Sequence, residues 1–240
     1  MPGTPRTPVI GTLNEKPLHA ALKGWYARAD DRFEVLVDGY VIDIVRGELL
    51  IEIQTGNFSN IKRKLVKLVA NHPVRLVYPI AQEKWLIKLK KNGQGKAERR
   101  KSPKRGTIED LFRELLRFPE LMLEPNFSID VLFIQEEEIR RHDEKRRWRR
   151  RGWVTVERRL LTVVDQRGFE TAEDFEALLP DGLPGEFTTS DLAAASGKPR
   201  SLAQKMTYCL RKMNVITRIG KQGRYYLYAR TETTDRCISC

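Results

Sequence analysis

The stretch GYVIDIVRGELLIEIQ, residues 39–54, decides the fold of this chain. It contains two short β-prone runs separated by a break at Gly47, a pattern typical of a hairpin. Because side chains alternate between the two faces of a strand, Glu52 and Gln54 are expected on one face of the second run. Asp43 lies near the end of the first run, so the sequence predicts that Asp43 lies beside Glu52.

The two acids stand among apolar residues, and an acid in an apolar strand needs a physical reason. Burying an unpaired carboxylate is expensive, and a divalent cation would offset that cost. Two carboxylates, a backbone carbonyl and water are the hard oxygen ligands that Mg²⁺ prefers. A cation held there would polarise a phosphoryl oxygen and activate a water molecule. The alternative is that Asp43 and Glu52 lie at an exposed strand end and only solvate it.

The elements around this hairpin alternate between helix and strand. Upstream, apolar residues at helical spacing predict a helix over about 12–29. Downstream, a basic helix begins at Ser59 or Asn60 and reaches about Val69. The sequence therefore predicts a mixed α/β domain over residues 12–138. Its later elements are β-prone runs at 74–78, 84–89 and 128–134, a basic loop at 90–106 and a helix at 107–118.

Residues 181–231 form a second pattern. A short helix precedes a helix over about Ser201–Met213, and two β-prone runs joined by a glycine-bearing turn follow. Between the two patterns, residues 139–180 are interpreted as a basic connecting region, in which 139–152 is either a linker or a charged hairpin and 153–164 is an apolar run that fits either a helix or a strand. The ends, 1–11 and 232–240, are interpreted as a disordered N-terminus and a tail.

The order of elements in the first domain resembles that of the PD-(D/E)xK nuclease superfamily, which has a restriction-endonuclease-like mixed sheet flanked by helices. The resemblance covers roughly residues 12–80 and is carried by Glu15, Asp43, Glu52 and Gln54. It implies that Asp43 and Glu52 bind Mg²⁺, or Mn²⁺ in its place, assisted by Glu15. By the same resemblance, all four residues belong to a site that hydrolyses phosphodiester bonds.

Two positions depart from that motif. Gln54 stands where lysine is usual, and an amide can hydrogen-bond a water molecule but brings no positive charge. Lys62 or Lys64 on the following helix would supply the charge, unless both lysines only solvate that helix. Ile42 stands where the motif has proline. His19, in the first helix, is either a further member of the site or an unreactive helical histidine.

Residues 181–231 resemble a winged-helix domain, in which the second helix enters the major groove of DNA and a two-stranded wing contacts phosphates. The alternative is that this module mediates protein contacts, but its basic helix and wing favour DNA. The residues predicted to bind DNA are Lys62, Lys64, Arg99, Arg100, Arg149, Arg150, Arg200, Lys205, Arg211, Lys212, Lys221 and Arg224.

The charge of the chain favours a polyanionic partner. Lysine and arginine number 44 against 32 acidic residues, a net charge of +12, and much of the excess is clustered at 90–105 and 145–151. No apolar run is long enough to span a bilayer, so no membrane partner is predicted. Three cysteines, an odd and sparse count, indicate a reducing cytoplasm. Cys237 and Cys240 form a CxxC without a second pair, so no zinc site is predicted.

These patterns together predict a Mg²⁺-dependent DNA endonuclease that a winged helix directs to its substrate. Many members of the nuclease superfamily act as homodimers, so the resemblance also allows a homodimer. The rival hypothesis is a non-catalytic DNA-binding regulator or assembly factor with a degenerate nuclease core, and Gln54 is its main support. RNA binding or processing is a third class.

Overall fold

The computed structural model describes residues 16–89, 98–143 and 152–231 of the chain. The predicted mixed α/β class is confirmed, with a mixed sheet flanked by helices. The described helices are α1 (Pro17–Tyr26), α2 (Lys62–Val69), α3 (Phe112–Leu115), α4 (Thr189–Ser196) and α5 (Arg200–Lys212), and none is long and apolar enough to cross a membrane. The described strands are β1 (Arg32–Val37), β2 (Tyr40–Arg46), β3 (Leu49–Ile53), β4 (Val74–Lys88), β5 (Glu98–Lys101), β6 (Phe127–His142), β7 (Trp153–Phe169), β8 (Glu186–Thr188), β9 (Ile216–Gln222) and β10 (Tyr225–Arg230).

A seven-stranded sheet forms the larger part of the molecule. Its strand order is β1-β2-β3-β4-β6-β7, with β5 paired to β4. β4 runs parallel to β3 and to β6, and the remaining pairs are antiparallel. A second, antiparallel sheet of three strands has the order β8-β10-β9.

The hairpin that opens the deciding stretch turns on Asp38 and Gly39, whose φ values are 49° and 82°. Two-residue turns with positive φ at both positions match the twist of the flanking strands, and glycine adopts this conformation without steric cost. The turn sets β1 and β2 in register, with Val37 opposite Tyr40. A second turn, at Gly47 with φ 57°, returns the chain from β2 into β3.

β4 is one strand where the sequence predicted two. The predicted break falls near Pro79, which cannot donate a hydrogen bond to a neighbouring strand. Val77 accepts a hydrogen bond from the amide of Gln54 at the end of β3. Pro79 lies two residues further on and faces the same edge, where β3 has already ended. Its missing N–H therefore costs no ladder bond, and the strand continues to Lys88 beside β6.

Much of the predicted connecting region, 139–180, lies in the sheet instead. β6 continues to His142, and β7 pairs with it from Trp153 to Phe169. The arginine-rich run at 145–151 lies outside the described residues, whereas Arg158 of β7 pairs with Glu136 of β6 at 2.6 Å. Such cross-strand charge pairs interrupt the apolar alternation by which a strand is recognised from sequence.

Helices cover both faces of the large sheet at β3. Leu22 of α1 is buried in a cluster with Ile51 and Ile53 of β3, whereas Leu65 of α2 is buried in another cluster with Leu50. Side chains of neighbouring strand residues point to opposite faces. The two helices therefore hold β3 between them, α1 on one face and α2 on the other.

The cluster beneath α2 continues into residues 181–231, here called the C-terminal unit. Leu115 of α3 belongs to it together with Leu202 and Met206 of α5. Lys198, between α4 and α5, also pairs with Glu109 at 3.0 Å. The two sheets therefore share one continuous apolar core.

Candidate functional site

Asp43 and Glu52 meet where two paired strands separate. The last registered pair of β2 and β3 is Ile44 opposite Ile51; Asp43 precedes it on β2 and Glu52 follows it on β3. Beyond this pair the amide of Ile53 donates to Asp43 Oδ2 at 2.8 Å, in place of a bond to a strand carbonyl. The structure thus brings the two predicted acids together at the point where the hairpin opens.

A helix supplies a partner to each acid. His19 Nε2 of α1 lies 3.2 Å from Asp43 Oδ2. Lys64 Nζ of α2 forms an ion pair with Glu52 Oε1 and donates to the backbone carbonyl of Val41 at 2.6 Å. Since α1 and α2 cover opposite faces of β3, the cluster draws its members from both sides of the sheet.

The two carboxylates differ in acidity. Burial and, after it, the charge of Asp43 raise the pKa of Glu52 to about 7, against the opposing charge of Lys64. Burial also raises the pKa of Asp43, but the hydrogen bond and charge of His19 and the Ile53 amide outweigh it, so this pKa lies below its ordinary value. Asp43 is therefore ionised at neutral pH, whereas Glu52 exchanges its proton near pH 7. Such a pair is suited to proton transfer or to a cation that displaces the proton.

The side chain of Gln54 makes different contacts from those that the motif implies. Its side-chain amide donates to the carbonyl of Gly56 and, at 3.2 Å, to that of Asn57, so it fixes the turn that follows β3. The positive charge that an amide lacks comes from Lys64, one of the two lysines that the sequence offered. The other, Lys62, is exposed on α2.

The chemistry of the acid pair fits a small divalent cation. The two carboxylates offer hard oxygen atoms, and a cation between them would relieve the repulsion that helps to raise the pKa of Glu52. Glu15, the third predicted metal ligand, lies outside the described residues. Within the described residues, no group of three or more His, Cys, Asp or Glu side chains is arranged to hold a metal ion. The remaining ligands of a cation held by Asp43 and Glu52 would have to be backbone oxygen and water, which Mg²⁺ retains readily.

A network of charges anchors the segment just beyond the acids. Arg158 of β7 donates to the carbonyl of Thr55 at 3.1 Å and to Glu136 at 2.9 Å. Glu136 is fully buried and also pairs with Lys84 at 2.8 Å. Lys84 and Arg158 line a cleft of about 410 Å³ beside this turn. None of these residues was predicted as part of a site, because β7 falls in the region interpreted from sequence as a connecting region.

The cations predicted to bind DNA differ in what their side chains contact. Some are paired with acids: Arg99 Nε lies 2.8 Å from Glu137, and Lys212 Nζ lies 2.9 Å from Glu120. Their charges are partly offset within the protein, which weakens them as phosphate ligands. Of the others, Arg100, Lys205 and Arg211 are exposed or half-buried, and Arg149 and Arg150 lie outside the described residues.

Three further cations of the C-terminal unit stack on tyrosines. Arg200 and Arg224 lie 5.2 Å and 5.1 Å from the ring centroid of Tyr225. Lys221 lies 5.4 Å from that of Tyr226. These contacts keep the cations at the surface and orient them without neutralising their charge.

A cleft of about 800 Å³ opens between α5 and the β9–β10 hairpin. Arg211 of this cleft is among the residues predicted to bind DNA, whereas its aromatic residues were not predicted. Such aromatic residues can be recognised in a sequence because they occupy helix or hairpin positions where an exposed polar residue is expected. The lining includes Gln204, Tyr208, Arg211, Asn214, Arg218 and Tyr226.

The family described as a domain of unknown function, DUF8091, matches residues 16–170, which contain the acid pair and both helices that flank it. An uncharacterized protein from Treponema pallidum (strain Nichols) is 31% identical over 228 residues, covering 94% of this chain and 89% of the relative. This similarity therefore extends past residue 170 into most of the C-terminal unit. No solved structure matches the chain with significance.

Proposed function

The chain belongs to the DUF8091 family, and we propose that it is a metal-dependent DNA endonuclease directed to DNA by its C-terminal unit. The observation that carries the proposal is the pairing of two buried carboxylates, Asp43 and Glu52, with the ammonium group of Lys64 where β2 and β3 separate. Acids of unequal pKa beside a cationic group are suited to the hydrolysis of a phosphodiester with a divalent cation.

The proposed fold of the first domain is restriction-endonuclease-like. In support, α1 precedes the hairpin, the two acids lie on its successive strands, and β4 returns parallel to β3 after α2. Lys64 would take the part that the PD-(D/E)xK motif gives to its lysine, and Gln54 would only hold the turn.

Asp43, Glu52 and Lys64 would have different roles in hydrolysis. Asp43 and Glu52 would hold Mg²⁺ or Mn²⁺, which when bound polarises the phosphoryl oxygen and lowers the pKa of an attacking water. Glu52 must lose its proton to bind a cation, so activity should rise with pH through about 7. Lys64 offsets negative charge and presents donors to a phosphate oxygen.

We assign DNA binding to the C-terminal unit. Its elements follow the order expected of a winged helix, with β8, α4 and α5 before the β9–β10 hairpin, which would be the wing. On α5, Gln204, Tyr208 and Arg211 are spaced by three or four residues and are all exposed, so they share one face of the helix. Arg211 and the cations of the hairpin would contact phosphates.

Plasmid nicking tests the proposed cleavage. In Mg²⁺ or Mn²⁺ the full chain should convert supercoiled plasmid to nicked or linear forms, and EDTA should stop the conversion. Asp43→Asn and Glu52→Gln should each lower the rate on the order of 100-fold, because each removes a charge from the site. Glu48→Gln changes an exposed acid of the same hairpin and should leave the rate unchanged.

A second candidate function is that of a non-catalytic DNA-binding regulator or assembly factor. It is favoured by the commitment of the Gln54 amide to Gly56 and Asn57, which leaves the last motif position without a catalytic group. Such a protein would bind DNA equally well with Asp43→Asn and would nick plasmid in neither metal. Wild-type protein that shifts DNA in a gel but never cuts it would therefore favour this function over the endonuclease.

A further inference from the structure

The cleft between α5 and the β9–β10 hairpin has a volume of about 800 Å³. Sites for small organic ligands have volumes of roughly 300–1,000 Å³, so a single nucleotide fits the space. Inside a continuous duplex the face of each base is covered by its neighbours in the stack, so it is not open to a ring of the protein. A base can therefore reach the interior of the cleft only after it has left its stack.

Aromatic rings form both walls of this cleft. Tyr208 of α5 keeps 42% of its surface exposed, and Tyr226 of β10 keeps 45% exposed. Buried residues flank Tyr208 in the helix, namely Thr207 and Cys209, so the helix packs around it and turns this one ring outward. An exposed ring in a concave surface is a platform on which a base of any sequence stacks.

The charge of the cleft suits a nucleotide phosphate. Arg211 of α5 and Arg218 of β9 line it, and the Arg218 guanidinium lies 4.7 Å from the ring centroid of Tyr226. None of the described lining residues is acidic. Gln204 and Asn214 add amide groups, which offer a donor and an acceptor and so accommodate the edges of different bases.

We propose that this cleft binds one unstacked nucleotide of a DNA strand, with its base on Tyr208 and its phosphate at Arg211 and Arg218. The inference rests on the DNA binding proposed above. It narrows the substrate class to DNA that offers such a nucleotide, namely single strands, overhangs and gaps, in preference to continuous duplex.

Competition binding tests the preference. The full chain, in EDTA and at one stated salt concentration, is bound to a labelled single strand and challenged with either unlabelled single strand or relaxed closed-circular duplex. Per nucleotide, the single strand should compete about 10-fold better, a ratio within the range of one base–aromatic stack. Tyr208→Leu should remove this preference, and Tyr208→Phe should keep it, because the ring and not the hydroxyl carries the stacking.

Trp25→Leu is the matched control. It removes a ring that is 48% exposed on α1, outside the cleft, and should leave the preference unchanged. Equal competition by circle and strand for the wild type overturns the inference. An unchanged preference in Tyr208→Leu, or an equal loss in Tyr208→Phe, overturns it as well.

Photochemical cross-linking gives a readout that needs no variant. A single strand carrying 5-iodouracil reacts on irradiation with an aromatic ring stacked on that base, and the linked tryptic peptide should be 206–211, which contains Tyr208. A cross-link confined to any other peptide contradicts the assignment. Plasmid nicking by the wild type alongside such a failure would remove only this inference and leave the proposed cleavage standing. Absence of nicking together with the expected cross-link would contradict the proposed cleavage and leave this inference standing.

Discussion

At the scale of the residue, the raised pKa of Glu52 makes the free energy of unfolding depend on pH. Its pKa is raised from 4.5 to about 7, first by burial and then by Asp43. Between these two values the folded chain binds more protons at this carboxyl than the unfolded chain does. The contribution of Glu52 to the free energy of unfolding is therefore present below about pH 4.5 and is lost as the pH rises through about 7.

Glu52→Gln removes this titration, because an amide resembles the protonated acid at every pH. Relative to wild type, the variant should gain on the order of 2 kcal/mol of unfolding free energy between pH 5 and pH 8, measured by urea denaturation in EDTA. Glu48→Gln, an exposed acid of the same hairpin, should track the wild type at both pH values. A constant difference between Glu52→Gln and wild type would contradict the raised pKa.

The sequence could predict the meeting of Asp43 and Glu52 because it depends only on strand alternation and a local turn. The parts played by His19 and Lys64 depend on which faces of β3 their helices cover, and periodicity within a helix does not contain that information. The site of Gln54 depends on the backbone of the following turn, where Asn57 adopts φ 56°. A short motif says nothing about such a turn.

At the scale of the element, β7 explains where sequence reasoning failed. The strand is largely exposed, and its pairing with β6 shifts register in three places. Apolar residues in adjacent pairs, such as Leu160 and Leu161, and charged residues such as Arg158 break the apolar alternation along it. A pattern search that scores only apolar periodicity assigns such a strand to a linker, although the hairpin at β2 and β3, whose residues are mostly apolar, is recognised at once.

Arg158→Met should lower the free energy of unfolding by about 2 kcal/mol or more. It leaves Glu136, a fully buried carboxylate, with Lys84 as its remaining ion-pair partner, and breaking a buried pair is strongly destabilising. Arg159→Met removes the neighbouring arginine, which is paired with Glu157 at an exposed position. Urea denaturation should show an effect of the control below about 1 kcal/mol, and equal effects would mean that the buried network does not hold β7.

At the scale of the whole molecule, the shared core couples the acid pair to the C-terminal unit. The family match ends at residue 170, which invites division of the chain into two independent parts. Leu115 of α3 nevertheless packs in one cluster with Leu202 and Met206 of α5. Apolar surface buried between two units ties their stabilities together, since neither can unfold without exposing the surface of the other.

Met206→Ala tests this coupling. The side chain is fully buried in the shared cluster, so its loss should cost roughly 2–5 kcal/mol of unfolding free energy. Hydrogen exchange should show the protection of amides in β2 and β3 falling together with that of amides in β9 and β10. Val66→Ala, at an exposed position of α2, should alter neither set. If Met206→Ala weakens protection in β9 and β10 alone, the C-terminal unit unfolds independently, and the fixed relation between its proposed DNA-binding surface and the acid pair is lost.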